Sequence, residues 1–382
     1  MTLRLLVTTR DVGATLSLIE IVKAARLDAT FSTSVVAQRP AFDYLRAAGL
    51  DATLVNLPPA RTRDDDDAAA LLGCARGTLE DTHPDAVLAG LSTPLDGGID
   101  EAVIALAGVS TFVMQDFWGE ANAFFGKAAD FYLGLDEEAV RLTRKRHGVE
   151  GIAIGSPRHA AYAELNPSEL RGHTRGALAI TEPAIVYGLF GQGLHHLEGY
   201  RRTVRDWALA VRALPGPTVA IYRAHPRESP ADAEATLQLI RSTGLECRLT
   251  QTRTVEESLV ACDVVCSAFS LCNYDSVYLN RYATEPLITP VSLMFDPEVR
   301  AYCRDNVHLD EFPYLHDGLA LAAWRAEDLG VVLGTAGLVA TRREAWAAAR
   351  RMPDPRGAAA RALDAIRSRV DRLRSRGRPA VG

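Results

Sequence analysis

Long apolar runs are missing. The longest, at 102–114 and 180–190, stop short of the ~18–20 residues that a membrane span needs, and polar side chains interrupt both. No transmembrane segment is expected. The first ten residues, with Arg4, Thr8, Thr9 and Arg10 among them, lack the apolar core of a signal peptide, and a cytoplasmic protein is expected. Cysteine is sparse: Cys74, Cys247, Cys262, Cys266, Cys272 and Cys303 are scattered through 382 residues, which argues against a disulfide framework. A strong charge of one sign is also lacking. The net charge of −6 gives no general attraction for nucleic acid, so none is expected as a partner.

What is present is ordinary globular composition, 48% hydrophobic and 24% charged, which excludes a disordered chain. The length suits two domains, each large enough to bury its own core. Charge is nonetheless uneven: residues 64–67 are four aspartates, and the last 32 residues carry nine arginines and no lysine. A basic C-terminal helix offers peripheral contact with phosphates or anionic lipid. Its apolar side, with Leu363, Ile366, Val370 and Leu373 at helical spacing, equally suits packing back onto the body.

Along the chain, short β-type runs alternate with helical periodicity. Strands are expected at 3–8, 29–36, 52–57, 86–89, 110–115, 131–134 and 151–154, and helices at 16–25, 41–48, 68–82, 99–107 and 137–147. The rhythm breaks over 164–181, where Pro167, Gly172 and Gly176 interrupt polar sequence. It resumes with strands at 184–190, 218–222, 247–249, 264–267 and 287–289 and helices at 199–212, 231–242, 255–261 and 271–281. The expected fold is α/β, with two Rossmann-like parallel-sheet domains at 1–165 and 184–345, a linker at 166–183 and a C-terminal helix and tail at 346–382. Ligands of such sheets bind at loops following the strands, so the two domains are expected to face each other across a cleft.

Five post-strand segments carry chemistry-bearing residues. In the first, Gly13 permits close backbone approach, Arg10 is cationic, and Asp11 serves either as a general base or as a local helix cap. The second holds Asp116, Trp118 and Glu120: either a carboxylate pair with an aromatic platform, or a buried tryptophan beside a capping aspartate. The third, Gly191-Gln192-Gly193, can bring backbone N–H groups onto a diphosphate; His195 and His196 beside it do not share a face, so no metal site is expected. The fourth is Ile221-Tyr222-Arg223-Ala224-His225-Pro226-Arg227-Glu228. His225 and Arg227 suit a phosphate oxyanion, and Glu228 could receive ribose hydroxyls. In the fifth, Ser267 and Ser270 supply hydroxyls at an expected helix start, with Asp275 one turn further on.

Together these segments resemble the GT-B glycosyltransferase superfamily, which includes sialyl-type and polysaccharide transferases and the non-hydrolysing UDP-GlcNAc 2-epimerases. His225-Pro226 is similar to the His-Pro motif that binds donor phosphate in that superfamily, and Ser267 to Ser270 resembles its Ser/Thr-rich motif at a helix start. The resemblance implies an acceptor site in the first domain, a nucleotide-sugar site in the second, and a last helix that crosses back to the first. Tyr274 to Asn280 replaces the usual acidic pattern after the Ser/Thr motif, Asp136-Glu137-Glu138 lacks the glycine of the sialyl-type acidic motif, and the acidic and histidine cluster of the epimerases is not evident.

The activity expected is metal-independent glycosyl transfer from a nucleotide-sugar donor to an acceptor hydroxyl, with no cofactor. Asp11 or Asp116 would be the base. Arg10, Gly13, Trp118, Glu120, Gly191, Gln192, Gly193, His225, Arg227, Glu228, Ser267 and Ser270 would bind substrate, and a homodimer is compatible with this reading. Two other readings stand beside it: an epimerase or hydrolase acting on the same nucleotide sugar, and a non-catalytic nucleotide-sugar binder.

Overall fold

The computed structural model describes residues 2–181, 183–226 and 228–376. The chain divides into two compact units, Met1–Ala161 with Pro353–Gly382, and Tyr162–Met352.

In the first unit the elements run β1 (Leu3–Thr9), α1 (Val12–Leu27), β2 (Phe31–Ala37), α2 (Ala41–Ala47), β3 (Thr53–Leu54), α3 (Asp66–Thr82), β4 (Ala86–Gly90), α4 (Ile99–Leu106), β5 (Ser110–Met114), β6 (Phe131–Gly134), α5 (Glu137–His147) and β7 (Glu150–Ala153). All the strands pair in parallel, in the order β3-β2-β1-β4-β5-β6-β7. In β1 only Arg4 is exposed, as expected of a parallel strand covered on both faces. Leu6, Val36, Leu71, Val87 and Val103 build one layer of core, and Ile104, Val113 and Tyr132 belong to a second. Aspartate caps fix two helix starts: Asp65 accepts the Ala68 N–H of α3 and Asp136 the Ala139 N–H of α5, each at 2.7 Å.

The second unit runs α6 (Pro167–Ala177), β8 (Ile185–Phe190), α7 (Glu198–Arg212), β9 (Thr218–Arg223), α8 (Pro230–Ser242), β10 (Cys247–Leu249), α9 (Val255–Ala261), β11 (Val264–Ser267), α10 (Cys272–Tyr282), β12 (Thr289–Leu293), α11 (Pro297–Val307), β13 (Leu321–Ala323), α12 (Leu329–Ala336) and α13 (Val339–Ala349). Its parallel order is β10-β9-β8-β11-β12-β13, around a core that includes Trp207, Tyr187, Tyr222, Val264 and Leu333. Each chain path builds outward from its first strand and then returns to that strand's other side. The order therefore reverses between β1 and β4 and between β8 and β11, and these are the positions where open α/β sheets hold ligands.

The last helix, α14 (Ala358–Arg376), belongs to the first unit. Leu363, Ile366 and Val370 are buried there, the apolar side anticipated from sequence; the side chain of Leu373 lies outside the described residues. Several of the tail arginines also turn inward. Arg367 reaches Asp28, Arg369 pairs with Glu150 and Arg361 donates to the Ile154 carbonyl. These contacts supply the physical reason for the packing and leave fewer free cations for a lipid surface; Arg378 and the side chains of Arg374 and Arg376 lie outside the described residues.

Three features differ from the sequence pattern. Helix α1 starts at Val12, so Gly13 lies in its first turn rather than in a loop. Helices α11, α12 and α13 and strand β13 complete the second unit where sequence reading had stopped. The expected linker holds α6, with Asn166 as N-cap and Pro167 at its first position. Arg171 and Arg175, one turn apart, both reach the buried Asp263 at 2.6 Å, Arg342 lies 3.1 Å from it, and the Val186 N–H donates to the same carboxylate. One carboxylate thus fastens α6, α13 and the start of β8. Asp263→Ala should destabilise the protein by about 3–5 kcal/mol, because three arginines lose their buried partner. Chemical denaturation measures this, and a loss within experimental error would show that the cluster is not structural.

Candidate functional site

In the first unit the chain converges on the strand reversal from three loops. Arg10, 4% exposed just past β1, donates from Nη1 to Asp96 Oδ1 at 2.7 Å, and its Nη2 lies 3.9 Å from Glu101 Oε2. Glu101, in the first turn of α4, accepts the Ser92 hydroxyl and the Gly98 N–H. Its neighbour Asp100 is fully buried with neither carboxyl oxygen hydrogen-bonded. Burial and the Glu101 charge hold the Asp100 carboxyl well above the usual range, against the pull of Arg10.

Asp11 stands at the N-cap of α1, yet its side chain does not cap the helix. Its Oδ2 accepts the Thr93 N–H at 3.1 Å, tying the loop after β1 to the loop after β4. Asp116, beyond β5, lies over the start of α1: a Cβ added to Gly13 would stand 1.8 Å from Asp116 Oδ2. Only glycine leaves room for that carboxylate. Burial, together with the nearby Asp11 charge, pushes the Asp116 carboxyl up to about 7, and Arg158 opposes the shift. The structure therefore brings Arg10, Asp11, Gly13 and Asp116 together, with Ser92, Thr93, Asp96, Asp100, Glu101 and Arg158 as members that sequence reading missed. The signal for most of them was topological: the loop after β4 is the partner of the loop after β1 at a strand reversal.

Trp118 does not offer a platform. Its ring is fully buried and its Nε1 donates to Asp136 Oδ2 at 2.8 Å, so it anchors the loop to the cap of α5. Glu120 is 8% exposed and lies 3.4 Å from Arg146 Nη1, within the same packing.

In the second unit the Gly191 N–H donates to the Arg223 carbonyl, joining the loop after β8 to the end of β9. A Cβ on Gly191 would stand 2.5 Å from Glu228 Oε2. The Glu228 carboxylate accepts the Tyr222 hydroxyl at 2.9 Å and the His225 N–H, and burial raises it. Glu228 therefore fixes the backbone of half-buried His225. Gln192 Oε1 accepts the Phe269 N–H at 2.6 Å, bridging the strand reversal between the loops after β8 and β11. Gly193 adopts φ +63°, which glycine tolerates without strain. Ser267 is buried and its Oγ has no partner; the Ser270 hydroxyl accepts the Cys272 N–H at 3.2 Å. Asp275 is buried in α10. His195 faces Thr236, 3.2 Å away, whereas His196 is edge-on to Tyr302. Arg227 lies outside the described residues. Among the described residues no group of three or more His, Cys, Asp or Glu side chains could hold a metal ion, and no helix is long and apolar enough to cross a membrane.

No protein-family model matches the chain, and no curated protein sequence does. Solved structures do. The UDP-GlcNAc 2-epimerase of Neisseria meningitidis bound to UDP-GlcNAc superposes with a TM-score of 0.65 at 11% identity, over 96% of this chain and 100% of the other. A glycosyltransferase from Rickettsia africae gives 0.66 at 10% identity over 97% and 98%, and MurG from Acinetobacter baumannii gives 0.60 at 11% identity over 96% and 99%. The chain has the GT-B fold. In this GT-B protein the likeness is one of fold, so the chemistry has to be argued from its own residues.

The raised Asp116 carboxyl has a consequence for stability. Because its folded value of about 7 exceeds the ordinary 3.8, the native state holds a proton that the unfolded chain has released between those values, and stability falls as pH rises through that window. Asp116→Asn removes this dependence. Its melting temperature should exceed that of the wild type by more at pH 8 than at pH 5, and an equal difference at both pH values would place the Asp116 carboxyl in the ordinary range.

Proposed function

We propose that this chain is a glycosyltransferase that moves a sugar from a nucleotide-sugar donor to an acceptor hydroxyl without a metal ion. The observation that carries the reading is Asp116, whose carboxyl is tuned to about 7 beside Asp11 and is seated over the start of α1 by Gly13. A base poised near neutral pH suits proton removal from a hydroxyl as that hydroxyl attacks the sugar. In the second unit, the Gly191-Gln192-Gly193 loop, His225, the unpartnered Ser267 hydroxyl and the start of α10 form an anion-binding set. Such a set stabilises the negative charge that develops as the nucleotide departs. Neighbours of the same fold named as a glycosyltransferase, as MurG and as an epimerase bound to UDP-GlcNAc support a nucleotide sugar as the substrate.

A second reading, nucleotide-sugar epimerase or hydrolase, is favoured by one observation. Asp11, Asp96, Asp100, Glu101 and Asp116 crowd one region, with Asp100 and Asp116 raised in affinity for a proton. Carboxyl groups in different protonation states can act as acid and base on a single sugar.

Incubation with UDP-, GDP-, CMP- and dTDP-sugars, with and without candidate acceptors, separates these readings. A transferase releases nucleotide only with acceptor, and Asp116→Asn should lower kcat by about 10²- to 10⁴-fold. The rate should rise with pH through about 7 as Asp116 deprotonates. Since the Asp11 charge raises that value, Asp11→Asn should move the limb to lower pH. Conversion of the sugar without acceptor would favour the epimerase or hydrolase. Binding without any turnover would make the chain a nucleotide-sugar binder.

A further inference from the structure

Among the described residues no carboxylate forms an ion pair with the guanidinium of Arg223, at the last position of β9. Its hydrogen bonds to the described residues leave from Nη1 and end on neutral oxygens: the Thr252 carbonyl, the Thr252 hydroxyl at 2.7 Å and the Ser258 hydroxyl at 2.8 Å. The two acidic residues that act on it from a distance, Glu256 and Glu257, are engaged elsewhere. Glu256 accepts the Tyr162 hydroxyl, and Glu257 accepts the N–H groups of Arg253 and Thr254 at the start of α9. Burial disfavours the charged form of this side chain. A half-buried guanidinium held on one nitrogen by neutral groups keeps its Nε and Nη2 donors for something else, and those two form the planar edge that suits paired phosphate oxygens.

Its surroundings identify what that is. The Arg223 carbonyl receives the Gly191 N–H, so the residue borders the glycine loop. The next loop residue, Gln192, accepts the N–H of Phe269 in the short segment that runs from Ser267, the last residue of β11, whose buried hydroxyl has no partner, to the start of α10. A cation, an unpartnered hydroxyl and a helix start therefore belong to one neighbourhood. We propose that Arg223 is a phosphate-binding residue whose free guanidinium edge takes oxygens of a nucleoside diphosphate held between the glycine loop and the start of α10. The inference rests on the nucleotide-sugar reading and assigns its charge recognition to a residue two positions before His225 that is not among the expected substrate-binding residues.

Calorimetric titration of the full chain with UDP, GDP, dTDP and ADP, and with the corresponding nucleosides, tests it. Arg223→Gln should weaken the bound diphosphate by about 10- to 100-fold, the scale of charge-assisted hydrogen bonds, while leaving nucleoside affinity unchanged. Arg223→Lys keeps the charge but loses the planar edge, so it should fall between the two; it also decides the matter if the Gln variant fails to fold. Were Arg223 only a clamp on the segment around Thr252, its loss would lower the melting temperature and weaken diphosphate and nucleoside alike. Wild-type diphosphate affinity in Arg223→Gln would overturn this inference alone. Absence of binding by every diphosphate to the wild-type chain would overturn it together with the nucleotide-sugar reading.

Discussion

Two glycines, each just past the first strand of its sheet, set what the rest of the protein can do. Parallel strands whose order reverses leave a gap at their carboxyl ends, and a side chain at the next turn would fill it. At Gly13 the space goes to the Asp116 carboxylate and at Gly191 to that of Glu228; a Cβ would stand 1.8 Å and 2.5 Å, respectively, from these oxygens. The same device serves two ends. Over the start of α1 it places a carboxyl that remains available for proton transfer. At Gly191 it places a carboxylate that holds the Tyr222 hydroxyl and the His225 N–H, and so fixes the loop that carries the histidine.

The electrostatics of the two units follow from these placements. The first gathers Asp11, Asp96, Asp100, Glu101 and Asp116 near Arg10 and Arg158, an excess of carboxyl groups that repels an anion and, together with burial, raises the proton affinity of Asp100 and Asp116. The second offers His225, Arg223, the backbone of the glycine loop and the start of α10. Phosphate is recognised by N–H groups and cations, whereas a neutral hydroxyl is activated by a carboxylate. The division of labour in the proposed reaction is therefore one of charge.

The fold was legible in the sequence wherever burial on both faces made strands read as short, largely apolar runs, as in β4 and β11. It was illegible where stability comes from long-range polar contacts. Residues 167–177 look like a polar connector because the partner that makes Arg171 and Arg175 structural, Asp263, lies about ninety positions away. The site divides on the same line. His225, Ser267 and the glycine loop carry local signals of residue type after a strand. The pairing of Gly13 with Asp116 spans more than a hundred positions, and the exposure of Trp118 could not be judged without knowing that Asp136 would accept its N–H. Asp100 and Glu101 read simply as the acidic first turn of a helix until that helix is seen against Arg10.

The most direct test of this account is hydrogen–deuterium exchange of the full chain with and without a saturating nucleoside diphosphate. Slowed exchange is expected over residues 191–197, 224–229 and 268–275, with residues 10–15 and 91–98 of the first unit unaffected by the nucleotide alone. Protection centred on 10–15 and 91–98 instead would contradict the assignment of the nucleotide to the second unit, and with it the separation of phosphate recognition from proton transfer.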